Sequence, residues 1–137
     1  MGEVRVKATL TNALDEALAR RGQIPPAEVR RHEADAMVDT GAVRSVIPSY
    51  VAQKLGLSSR GQRVVEYADG RKEAVDVTES LVISVLERDT LEEALVLGDE
   101  VLIGQTVLEK LDIMVDFNSH RVVPNPAHAD QPVTKVK

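Results

Sequence analysis

Residues 4–10 alternate. Val4, Val6, Ala8 and Leu10 share one face, while Arg5, Lys7 and Thr9, with Thr11 beyond, share the other. A period of two predicts a half-buried strand. In "NALDEALARRG", Leu14 and Leu18 lie one helical turn apart, Asn12 suits the N-cap and Gly22 the stop, so the segment fits a short helix, and a long surface excursion fits it nearly as well. Pro25 and Pro26 then start a loop. "AEVRRHEADAMVD" reads as a second strand, and "AVRSVIP" as a short third one after the Gly41 turn. "PSYVAQKLGL" predicts a helix with Pro48 in its first turn and Gly56 as its stop. The run Gln62–Val77 predicts a hairpin, because strand-like segments flank Asp69-Gly70, a pair suited to the positive φ of a tight turn. Further strand pairs follow from Glu79 to Gly104, with a turn expected near Arg88-Asp89-Thr90. "QTVLEKLD" predicts a short helix, and "IMVDF" with "HRVVP" a last hairpin around Asn118-Ser119.

Many short strands with one or two short helices indicate a mostly β barrel or sandwich. At 137 residues the chain fits one domain, expected over 1–124, with a polar and loosely ordered tail over 125–137. Aromatics make up only 2% (Tyr50, Tyr67 and Phe117), so the core has to be aliphatic and rich in Val.

Composition removes several chemistries. Without Cys there is no disulfide, no thiolate catalysis and no Cys-bound zinc. His32, His120 and His128 are scattered; "RHEAD" has no second His one turn on, so neither metal nor cofactor is expected, and His32 reads as a surface strand residue. "GDEVLIGQT" misses a phosphate loop, since five residues separate its glycines and Gln105 stands where Lys is needed. No Gly-x-Ser-x-Gly elbow occurs. Net charge is −5 with Lys and Arg dispersed, which leaves no electrostatic footprint for nucleic acid. The opening "MGEVRVKATL" has no long apolar stretch, so no membrane role is expected and the expected location is cytoplasmic. Asp112 and Asp116 read as solvated ends of a helix and a strand.

One stretch resists a purely structural reading. In "AMVDTGAVRSVIP" a carboxylate, Asp39, follows Met37 and Val38 and is itself followed by Thr40, Gly41 and Ala42. Burying an unpaired charge is costly, so an acid at this point either ends a strand or is sheltered for use. Downstream, "VLIGQTVLEKL" repeats the plan of apolar strand, Gly and helix, and the Asp69-Gly70 hairpin lies between the two.

This arrangement resembles the retropepsin-like aspartic proteases, from about Val29 to Pro124. "MVDTGA" matches the catalytic loop, "EYADGRKEA" the flap hairpin, and "VLIG" with "QTVLEKL" the apolar-Gly strand and helix. The last hairpin matches the closing strands, and "DTGAVRSVIPSYVAQKLGL" is similar to bacterial single-domain members. The resemblance implies a closed β-barrel of the acid protease fold with one active-site loop per chain. It implies an endopeptidase acting on a peptide or protein substrate, with Asp39, Thr40 and Gly41 catalytic. A single Asp-Thr-Gly supplies one carboxylate, so such an enzyme has to be a two-fold homodimer, with the two Asp39 groups sharing a proton and activating water. Thr40 is then expected to brace the two loops. Tyr67, Ala68, Asp69 and Gly70 would form the flap tip, and Leu102, Ile103 and Gly104 an apolar floor. Ala42 lines the site without a hydroxyl, so the pair is expected to work nearer neutral pH than with Ser. Retroviral members carry acidic residues where Val43 and Arg44 stand, and Arg where Gln105 stands. The alternative is a retropepsin-fold dimer of weak or no activity, serving as a peptide-binding or scaffold module.

Overall fold

Backbone pairing sets the frame. The computed structural model describes residues 3–136. Strand β1 (Val4–Asn12) leads into helix α1 (Ala13–Arg20), and β2 (Arg31–Val38) returns antiparallel to β1, with Val4 opposite Val38 and Thr11 opposite Arg31. Then come β3 (Val46–Ile47), α2 (Ser49–Lys54), the hairpin β4 (Ser59–Glu66) and β5 (Lys72–Thr78), and the hairpin β6 (Leu81–Val85) and β7 (Arg88–Glu92). The chain continues through β8 (Leu95–Val96), β9 (Leu102–Ile103) and α3 (Gln105–Leu111) to a separate hairpin, β10 (Ile113–Asp116) with β11 (Arg121–Pro124). The nine-stranded sheet runs β4-β5-β8-β3-β9-β2-β1-β6-β7 and curls into a half-barrel, so the mostly β, retropepsin-like expectation holds.

The core is aliphatic, as the near absence of aromatics requires. Leu10, Ile47, Val51, Leu55, Leu81, Ile83, Val85, Ile103, Val107 and Leu111 are almost wholly buried, whereas Tyr50 and Phe117 are exposed. Burying each such side chain contributes about 1.5–3 kcal/mol. The alternation of β1 is observed with one departure: Thr11, placed by period on the outer face, is buried. Asn12 is buried too. Its side chain caps α1 by accepting from Asp15 N at 2.9 Å and donates to Leu55 O at 2.7 Å, tying α1 to the end of α2.

Three local expectations shift. The second strand starts at Arg31, because Pro26–Glu28 form a 3-10 turn. The third contracts to Val46–Ile47. The β6–β7 turn sits at Leu86-Glu87, before the expected Arg88–Thr90, and both turn residues take positive φ. Among the described residues no helix is long and apolar enough to cross a membrane. Residues of the 125–137 segment do make defined contacts: Asp112 accepts from Asn125 Nδ2, Val133 N and the His128 ring, so its carboxyl is enclosed rather than solvated as expected. Arg88 donates to the carbonyls of Leu111, Asp112 and His128. Asp116 caps the last turn by accepting from Asn118 N.

Candidate active site

Asp39 stands where β2 leaves the sheet. β2 runs parallel to β9, with Met37 opposite Leu102 and Val38 opposite Ile103, and Asp39 N donates to Ile103 O at 3.0 Å. That pairing fixes the start of the loop, and the rest of the loop closes on itself. Ala42 N donates to Asp39 O, and Gly41 N donates to Asp39 Oδ1 at 2.9 Å. Asp39 is half-buried, Thr40 and Gly41 are exposed, and Ala42 is half-buried. Among the described residues no cation pairs with Asp39, and its Oδ2 receives no hydrogen bond.

The loop also caps α3. The first N–H groups of a helix have no partner within it. Here Gln105 N donates to Ala42 O at 2.7 Å and Thr106 N to Val43 O at 3.1 Å, while the Thr106 hydroxyl reaches the same Val43 carbonyl at 2.7 Å. Among the described residues these bonds hold the Asp39 loop against the start of α3 without a side-chain hydrogen bond from Gln105. Gly104 N donates to Ser45 Oγ, and Ser45 is buried. Ser45 and Thr106 escaped the sequence reading. The available signal was a hydroxyl inside the apolar run "VRSVI", a placement that calls for a hydrogen-bond partner.

The structure thus gathers Asp39, Thr40, Gly41 and Ala42 against Leu102, Ile103 and Gly104. Ile103 and Gly104 are buried and Leu102 is half-buried, so Leu102 is the one of the three that presents surface. Tyr67, Ala68, Asp69 and Gly70 lie at the tip of the β4–β5 hairpin. Gly70 N donates to Tyr67 O, and Gly70 alone of the Asp69-Gly70 pair has positive φ, +86°. The tip is stiffened from within. The Tyr67 hydroxyl donates to Glu73 at 2.6 Å, which pushes its pKa up, and Arg71 stacks on the Tyr67 ring at 4.6 Å. Asp69 accepts from the main-chain N–H and the guanidinium of Arg71, which hold its carboxyl below the usual range. Among the described residues no hydrogen bond or ion pair joins this tip to the Asp39 loop. His32 lies in β2 beside Lys54, whose Nζ is 3.1 Å from its Nδ1; partial burial and that cation hold its pKa down. Among the described residues no cluster of His, Asp or Glu is arranged to hold a metal.

No curated protein matches the chain. The solution structure of the Simian Foamy Virus (mac) protease matches 76% of this chain and 90% of its own at 16% identity, with a TM-score of 0.48. The crystal structure of the retroviral protease-like domain of Ddi1 from Leishmania major matches 92% of this chain and 90% of its own at 16% identity, with a TM-score of 0.55, a likeness of fold. The sequence profile described as "gag-polyprotein putative aspartyl protease" matches residues 25–110, which hold the Asp39 loop, the β4–β5 hairpin and most of α3. With well over half of its length matched, the chain belongs to that retropepsin-like aspartyl protease family.

Proposed function

We infer that this protein is an aspartic endopeptidase whose active site forms when two copies bring their Asp39 loops together across a two-fold axis. The observation that carries the reading is the state of Asp39. Its carboxylate is half-buried, one oxygen is held by Gly41 N, and no cation among the described residues balances its charge. Brought against the Asp39 of a second copy, this carboxylate would share one proton with it, because two such groups in contact do not both ionise. The charged member takes a proton from water, and the resulting nucleophile attacks the peptide carbonyl. The protonated member donates to the carbonyl oxygen, and the proton then passes to the leaving amine.

The surroundings suit this role. Thr40 is exposed beside Asp39, available to a partner loop, and Gly41 leaves room for the carboxylate. Of the expected floor, half-buried Leu102 offers an extended peptide an apolar contact, whereas Ile103 and Gly104 are buried. The hairpin tip Tyr67–Gly70 is the element that would cover it and exclude water.

The test is digestion of a degenerate peptide library from about pH 4 to pH 8 by wild type and Asp39→Asn, with sedimentation analysis of both. Cleavage by a dimeric wild type, reduced about 10²–10⁴-fold or more in the variant, is the expected result. Equal cleavage by both proteins, or a strict monomer that cleaves, refutes the dyad. A dimer that binds peptides without cutting them identifies a binding module instead.

A further inference from the structure

The peptide unit that joins Ile103 to Gly104 is held at both of its polar groups by one loop. Its carbonyl, Ile103 O, accepts from Asp39 N at 3.0 Å, and its N–H, on Gly104, donates to Ser45 Oγ at 3.0 Å. Asp39 opens the active-site loop and Ser45 closes it, so the two ends of the loop grip a single peptide plane. Ile103 and Ser45 are almost wholly buried and Gly104 is buried, so the Gly104 N–H relies on that hydroxyl. Ser45 is itself pinned to the sheet. Leu95 N donates to its carbonyl at 3.0 Å, and the next residue, Val46, pairs with both Leu95 and Leu102.

The plane needs such a clamp because of what stands at its end. The Arg44 main chain and the Ala42 carbonyl fill the space that a side chain on Gly104 would take, so the position is kept for glycine. Glycine leaves rotation about its own backbone bonds least restricted. Without the Ser45 hydroxyl a buried N–H is left unpaired, which is costly, and rotation of the plane is the relief open to it. That rotation carries Ile103 O away from Asp39 N. We propose that Ser45 is a positioning residue for Asp39: its hydroxyl locks the 103–104 peptide plane, and the plane fixes the point at which β2 releases the aspartate. An amide that donates through its N–H also accepts more strongly through its C=O, so the Ser45 bond tightens the Asp39 bond as well as orienting it. Ser45 is 1% exposed and has no surface to offer a substrate. In the proposed dimer the clamp acts once in each loop.

The effect on cleavage rests on the peptidase reading, and the experiment separates the two. Amide hydrogen exchange is followed by NMR in wild type, Ser45→Ala and Ser45→Cys, whose sulfur is a weaker acceptor. The peptide library is digested by the same proteins. In Ser45→Ala, exchange at Gly104 N and Asp39 N is expected to quicken about tenfold or more relative to Leu10 N and Thr11 N, which lie in the strand between β2 and β6. Corrected for the fraction folded, kcat should fall about 10–10²-fold with KM little changed, and Ser45→Cys should fall between Ser45→Ala and wild type. A merely structural role would quicken all these amides together and leave the corrected kcat untouched, and that result overturns the proposal. Faster exchange at Gly104 N alone overturns it too. Should Ser45→Ala fail to fold, Ser45→Cys decides, and wild-type exchange at Asp39 N in that variant refutes the clamp. A wild type that cuts nothing, beside variants with the expected exchange pattern, supports the clamp and refutes the peptidase.

Discussion

Gly104 and Arg44 touch: a methyl group on Gly104 would stand 2.6 Å from the Arg44 carbonyl carbon and 2.7 Å from its oxygen. Gly104 has φ −91° and ψ 172°, a conformation open to any residue, so the glycine is needed for space and not for its dihedral angles. The obstacle is main chain, which cannot swing aside as a long side chain can. Gly104→Ala is expected to cost about 1–3 kcal/mol in urea unfolding. It should also displace the loop whose carbonyls cap α3, and peptide cleavage should fall by more than the fraction of protein unfolded. A variant that keeps wild-type stability and cleavage would show that the loop has slack.

Ala42 offers a second test. It is half-buried in the Asp39 loop and, in the proposed Asp39 pair, brings no hydroxyl to the carboxylates. Ala42→Ser adds a donor that favours their charged form. A neutral hydrogen bond contributes about 0.5–1.5 kcal/mol, and one pH unit corresponds to about 1.4 kcal/mol. The optimum for cleavage is therefore expected to move toward acid by about half a unit to one unit. An unchanged pH–rate profile would remove Ala42 from the account.

Elements marked by local chemistry were legible in the sequence. Asn12 signalled the start of α1 through its cap, Asp69-Gly70 signalled the β4–β5 turn, and Asp39-Thr40-Gly41 signalled the loop. Features created by long-range pairing were not. Nothing near Val38 announces that it lies parallel to Ile103, sixty-five residues on, yet that register positions Asp39. Nor does the "AVRSVIP" run show that only Val46 and Ile47 pair as strand, with Ser45 turned inward to hold Gly104 N. Asp112 looked solvated because its partners, Asn125, His128 and Val133, lie far along the chain.

The misplaced turn makes a prediction of its own. Leu86 and Glu87 have φ of 53° and 64°, the paired positive values of a two-residue hairpin turn, and Val85 faces Arg88 across it. Side chains with a Cβ pay about 1–2 kcal/mol each in this region, which is why Asn-Gly is the usual signal and why its absence hid the turn. The double variant Leu86→Asn with Glu87→Gly is expected to raise stability by about 1–2 kcal/mol in urea unfolding, with cleavage unchanged. A neutral or destabilising effect would mean that the strained turn is held by contacts of Leu86 or Glu87 themselves.

Asp15 of α1 is paired with Arg30, just before β2. The Asp15 side chain is 8% exposed and accepts from Arg30 Nε at 2.8 Å, Arg30 Nη2 at 3.0 Å and Arg30 N at 3.0 Å. The guanidinium bond is the main cause that lowers its carboxyl pKa, against burial, which raises it. A carboxylate with a depressed folded-state pKa stabilises the fold above its unfolded value of about 3.9, and that contribution is lost as pH falls through the lower folded value. Arg30→Ala is therefore expected to destabilise at pH 7, with the effect tempered by the half-exposed guanidinium. Between about pH 4 and pH 2 the gap from wild type should narrow, because the stabilisation by a charged Asp15 is lost as pH falls through its lowered folded value. Gly56→Ala should act through the same pair, because a Cβ there would overlap the Arg30 guanidinium and would also sit at φ +66°. Melting curves across that pH range decide the matter: a gap between Arg30→Ala and wild type that stays constant down to pH 2 would mean that Arg30 stabilises by packing on Gly56 rather than by holding Asp15 charged.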